Sequence, residues 1–145
     1  MNKDKHFIAL ENMYLAAPIN TIYKPRIVVS EGQSEIEMEL KESYFHAAGA
    51  VHGSVYFKML DDAAFFAANS LEREVFVLTT SFTIYLTRPV SSGTMRAIGK
   101  VVNSTKSQFL AESIGYNSEG KEIARGSGVI VMGKFKLAEA FGYKA

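Results

Sequence analysis

The chain contains no cysteine, which removes disulfides, a thiol nucleophile and thiolate metal sites. Its net charge is only +1, and its basic residues stand in short scattered groups such as Lys3/Lys5, Lys24/Arg26 and Lys134/Lys136. Nothing resembles a face that tracks a phosphate backbone, so nucleic acid is not an expected partner. No apolar run approaches membrane-spanning length, and the opening MNKDKHFIALENMYLAAPIN mixes charges among its apolar residues where a signal peptide would have a continuous core. A soluble, cytoplasmic protein with no membrane partner is the expectation. No Gly-x-Ser-x-Gly elbow surrounds Ser54 and no His-x-x-x-His pair occurs. Ser54 therefore reads as a helix-start residue and not as a nucleophile, and no metal site is expected.

What is present is an ordinary globular composition, 48% apolar with ten Phe and seven Tyr in 145 residues. That length suits a single domain, residues 1–145, able to bury roughly 68–70% of its unfolded surface. From Asp4 to Ala16 the apolar residues Phe7, Ile8, Met13, Tyr14 and Leu15 are helical in spacing, and Pro18 closes the segment. After a connector at 19–25, strands are expected at 26–30 and 34–40; in the second, Ile36, Met38 and Leu40 alternate with Glu35, Glu37 and Glu39. A central helix is expected at about 53–71, then a β-rich run over 75–88. In that run the even positions Phe76, Leu78, Phe82, Ile84 and Leu86 are apolar, while Thr79, Ser81, Thr83 and Thr87 form the other face. Three further strands at about 94–103, 108–116 and 121–132 are separated by short Gly/Asn/Ser-rich turns, which predicts an antiparallel meander. The tail, 134–145, forms a last helical turn or frays. The fold class is α+β, one long antiparallel sheet around one buried helix, and a second copy can cover an exposed sheet edge.

The chain is organised around the stretch from His46 to Leu71. Its helix is apolar over most of its circumference, leaving a thin polar stripe of Ser54, Lys58, Asp61, Asp62 and Asn69. Such a helix is buried, and acidic residues on it are uncommon unless they are paired or used. Lys58 is spaced to pair with either aspartate. Gly49 and Gly53 permit a turn before the helix, whose first free N–H groups then offer donors to a polarised oxygen. Gly53 and Asp61 lie eight residues apart, about 12 Å along one axis. They cannot touch one carbonyl within one chain, so a catalytic role for both predicts two helices packed antiparallel in a dimer.

The segment His46-x-x-Gly49-x-x-His52-Gly53, with Asp61 nine positions after His52, resembles the hotdog-fold acyl-CoA thioesterases of the phenylacetic-acid-pathway (PaaI-like) group. Arg88-Pro89-Val90-Ser91-Ser92-Gly93 and the Glu119 to Ala124 hairpin extend the resemblance over about 26–132. It implies a hotdog fold and hydrolysis of an acyl thioester, with CoA entering only as part of the substrate and no separate cofactor. By the same resemblance, Asp61 is the catalytic base or nucleophile, and the Gly53 N–H of the other subunit polarises the thioester carbonyl. His52 orients the thioester, and Thr79 assists the carboxylate. His46 stands where the family usually has Asn, and an imidazole adds a titration near neutrality. Ser54 and Phe65 are candidates for substrate binding. A homodimer or a dimer of dimers is implied. A non-catalytic acyl-CoA-binding module is the alternative, and a hotdog dehydratase is a third reading whose paired Asp and His are not evident.

Overall fold

Asp4 opens the first helix by accepting the His6 N–H at 2.9 Å, and α1 then runs Lys5–Ala16 in the computed structural model, which describes residues 2–145. Ala9, Leu10, Met13 and Tyr14 face the core, whereas Leu15 points to solvent. The expected connector holds one helical turn, α2 (Asn20–Tyr23), stopped by the left-handed Lys24. Strands β1 (Arg26–Ser30) and β2 (Gln33–Glu39) form a hairpin around Gly32. Then come the central helix α3 (Gly53–Asn69), β3 (Val75–Leu86), β4 (Thr94–Ser104), β5 (Gln108–Tyr116) and β6 (Glu122–Lys136). All pairings in the six-stranded sheet are antiparallel, and α3 lies against one face.

The sheet order is β1-β2-β4-β5-β6-β3. The meander expected from the short turns is the run β4-β5-β6. Strand β3 is not beside its successor β4 but at the far edge, paired with β6. Short turns specify only hairpin neighbours; α3 precedes β3 and the 87–93 segment follows it, so neither connection holds it beside an adjacent strand.

Helix and sheet meet at backbone distance. A Cβ added at Gly99 would lie 2.3 Å from the Ala63 backbone, and Ala63, Ala64, Ala67 and Ala68 are fully buried along that seam. Two buried strand hydroxyls lock the helix in place, Ser34 donating to the Ala63 carbonyl at 2.6 Å and Ser113 to the Leu60 carbonyl at 2.7 Å. Gly99→Ala is therefore expected to destabilise the protein by at least about 1–3 kcal/mol. A thermal midpoint within a degree of wild type would refute this seam.

Asn69, placed on the polar stripe from sequence, is fully buried. Its amide donates to the Glu72 and Val75 carbonyls and accepts the Val77 N–H, all at 3.1 Å, which fixes the link from α3 into β3. The expected alternation along β3 is broken by a bulge: Thr79 pairs with Ile130 and Ser81 with Val129, leaving Thr80 extra. Before the bulge Val77 and Thr79 face the helix while Leu78 is 51% exposed; after it, Phe82 and Ile84 pack on the core.

The tail is ordered against the body. Strand β6 continues to Lys136, and Leu137 is fully buried at the start of a single 3-10 turn. The buried His6 imidazole meets the Tyr143 hydroxyl at 2.6 Å and the Asn69 carbonyl at 2.9 Å. That contact ties α1, the end of α3 and the tail together. No described helix is long and apolar enough to cross a membrane.

Candidate active site

Two turns into α3, Asp61 is half-buried, and its Oδ1 accepts the Thr79 hydroxyl at 2.9 Å. The β3 bulge is what turns Thr79 toward it. Burial raises the Asp61 pKa above the ordinary carboxylate value; the Thr79 hydrogen bond lowers it, the Asp62 charge raises it and Lys58 lowers it. The net direction is upward, as expected for a carboxylate on an apolar helix. Its second oxygen takes no protein donor among the described residues. The carboxylate sits in a pocket of about 310 Å³ whose walls include Tyr14, Phe65, Phe66, Phe76 and Leu78.

Asp62 has different surroundings. Lys58, spaced to pair with either aspartate, pairs with this one, its Nζ 2.6 Å and the Tyr14 hydroxyl 2.7 Å from the same Asp62 oxygen. The Lys58 ammonium also lies 5.2 Å from the Tyr14 ring centre and 5.1 Å from that of Tyr23. Burial, then the Asp62 charge, raises the Tyr14 pKa, so its hydroxyl stays a donor. Both aspartates line this pocket and each keeps one oxygen without a protein donor among the described residues; what separates them is that Asp62 is paired with a cation and a phenol, whereas Asp61 is held by the Thr79 hydroxyl alone.

The other candidates gather at the helix start. His52 is the N-cap; its Nδ1 accepts the Ser54 N–H at 3.1 Å and lies 2.8 Å from the Ser54 hydroxyl. Val55 N–H bonds the His52 carbonyl, and the Gly53 N–H takes no partner among the described residues. Gly49 supplies the turn with φ +82°, but Gly53 is helical and supplies none. The space in front of Gly53 is what matters: a Cβ there would meet Leu86 Cδ1 at 3.2 Å. His46 is exposed and closes its own turn, with Nδ1 accepting the Ala48 N–H at 3.0 Å.

The structure thus brings Asp61, Thr79 and Phe65 together and, separately, His52, Gly53 and Ser54, with His46 in the preceding turn. His52 and Ser54 line a different pocket, with Tyr44 and Val55. Sequence reasoning missed Tyr14, Phe76 and Leu78 as walls of the Asp61 pocket. Tyr14 reaches Asp62 across 48 positions of sequence, and only its apolar helix face was visible beforehand.

If Asp61 acts as a base in its ionised form, activity falls as pH drops through its raised pKa. The Thr79 hydrogen bond stabilises the ionised form. Thr79→Val should therefore move the acidic limb of kcat/KM to higher pH, and a limb that stays in place would exclude this coupling.

Comparison with known proteins identifies the fold and the family. The E. coli PaaI protein from the phenylacetic acid degradation operon superposes with a TM-score of 0.82 at 21% identity, covering 92% of this chain and 99% of that one. A thioesterase family protein from Silicibacter pomeroyi gives a TM-score of 0.76 at 22% identity, over 86% and 99% of the two chains. A protein of Sulfurisphaera tokodaii, provisionally named an esterase, is 22% identical over 102 residues, 70% of this chain and 75% of its own. The fold is the hotdog fold. The sequence profile of the thioesterase superfamily matches residues 48–124, which carry His52, Gly53, Asp61 and Thr79, and the chain belongs to that superfamily of thioester hydrolases.

Proposed function

We propose that this protein is a cytoplasmic acyl-CoA thioesterase whose site is completed by a second copy of the chain. The observation that carries the reading is the half-buried Asp61 carboxylate, with one oxygen held by Thr79 and the other free in a largely apolar pocket. The free Gly53 N–H is about 12 Å along the same helix, too far to serve that carboxylate's substrate. Two α3 helices antiparallel about a two-fold axis place each Gly53 opposite the other copy's Asp61. The edge strand β3, with Leu78, Tyr85 and Leu86 exposed, is a suitable surface for that pairing.

In this reading the thioester carbonyl rests on the Gly53 N–H of one subunit, and His52 orients the acyl group beside it. As general base, Asp61 of the other subunit takes a proton from water while the water oxygen bonds the carbonyl carbon. Charge developing on the carbonyl oxygen is held by the N–H and the positive end of the α3 dipole. The C–S bond then breaks, and the departing thiolate recovers the proton from Asp61, leaving a carboxylic acid and free CoA. As nucleophile, Asp61 would attack the carbonyl itself and expel the thiolate as the C–S bond breaks; water would then cleave the mixed anhydride to the carboxylic acid and the Asp61 carboxyl, which gives its proton to the thiolate. The thioester is activated enough to need neither metal nor cofactor. His46, with Nδ1 engaged in its turn, has Nε2 left to meet substrate where the family's Asn would. A binding module without turnover is the second reading, favoured only by that replacement. Release of free thiol from a panel of acyl-CoAs tests the proposal, and saturable binding without release would select the second reading.

A further inference from the structure

The Asp61 pocket does not end at Phe76. A second pocket of about 290 Å³ adjoins it, sharing Met13, Ala17 and Phe76, and is finished by Phe135, Ala140 and Phe141. No charged side chain lines it. Phe135 and Phe141 are 56% and 74% exposed, large apolar surfaces left facing this hollow. They are nevertheless held in place: the Tyr143 hydroxyl meets His6, Asn12 donates to the Lys144 carbonyl at 2.6 Å, and Gly142 with φ +81° brings the tail against Ala16. A pre-formed apolar wall of this kind binds without first being ordered. Of the residues that line the second pocket only Phe76 falls within residues 48–124, the stretch shared with the superfamily profile. The pocket is therefore built from this chain's own terminal segments.

We propose that the acyl group is a long linear chain, led from Asp61 past Phe76 into the pocket walled by Phe135 and Phe141. The inference rests on the thioesterase reading for the position of the carbonyl. The polarity runs the right way, from a carboxylate and a hydroxyl at one end to purely apolar walls at the other. Met13, Ala17 and Phe76 line both pockets and mark where they meet, and Phe141 lines only the second.

The test compares butyryl-CoA with palmitoyl-CoA in wild type, Ala17→Phe and Phe141→Asp, alongside binding of the fluorescent fatty acid cis-parinaric acid. Wild type should prefer palmitoyl-CoA. Each variant should lower the palmitoyl-to-butyryl ratio of kcat/KM by about tenfold or more, and both should weaken parinarate binding. Turnover with ratios unmoved in both variants, or a wild-type preference for butyryl-CoA, overturns the inference while leaving the thioesterase reading intact. No turnover of any acyl-CoA, with parinarate binding still lost in Phe141→Asp, fails the thioesterase reading and keeps the apolar channel. Uniform loss on both substrates together with a smaller oligomer in Phe141→Asp would assign the tail to a subunit contact and overturn the inference.

Discussion

Asp61→Asn should remove thiol release from acyl-CoA almost entirely, a loss on the order of 10²–10⁴-fold in kcat, while Asp62→Asn should retain most of it. The two residues are neighbours of the same type, and only their surroundings separate them. Asp62 is held by Lys58 and Tyr14, so its amide variant leaves a phenol and an ammonium to be resolvated but no reacting atom missing. Asp61 carries no cation, and its one protein hydrogen bond, from Thr79, leaves its second oxygen and its charge open to a water or a carbonyl carbon. Asp61→Asn should also unfold at no lower temperature than wild type. For a carboxyl whose pKa is raised in the fold, stability is complete below the unfolded value of 3.8 and declines as pH rises through the raised value. At neutral pH the amide escapes that cost. Side-by-side thiol assays and thermal melts check both statements; equal loss in the two variants would mean that the pair, and not Asp61, carries the chemistry.

Gly53→Pro is the second large effect. Position N1 of a helix is where proline is best tolerated, because its missing N–H has no intrahelical partner. His52, at φ −63° and ψ 142°, already has the extended backbone that a following proline requires. A Cβ at this position meets only the end of the flexible Leu86 side chain, so the chain should fold. What it loses is the free Gly53 donor, and kcat should fall on the order of 10²–10³-fold. Mixing unfolded Gly53→Pro and Asp61→Asn chains and refolding them then decides whether the site spans two subunits. Half of randomly formed dimers are mixed, and each mixed dimer has one intact site out of two, so about a quarter of wild-type activity should return. No recovery from two folded, dimer-forming variants would overturn the shared site.

Much of this site was legible in the residues. The apolar circumference of α3 announced a buried helix, and Asp61 and Asp62 stood out because carboxylates on such a helix are costly. The nine-residue step from His52 then gave the family resemblance. The separation of Gly53 from Asp61 needed only the helical rise. Thr79 was named by position but placed on the polar side of a regular strand. It reaches Asp61 because Thr80 is bulged out, and no local pattern in Val75–Leu86 marks that register shift. Asn69 was read as part of a polar stripe, although three hydrogen bonds to the next strand account for its burial.

By itself the sequence determined the succession of the main elements and the start of the central helix near residue 53, which follow from spacing along a few neighbouring residues, and the family resemblance carried by the His52-to-Asp61 step singled out Asp61 for testing. Tertiary structure alone decided that β3 is an edge, that Tyr14 and Lys58 bind Asp62 and not Asp61, and that the two termini together wall a second pocket. These depend on which surfaces meet across dozens of residues, and contact energies between distant segments leave no periodicity in the chain.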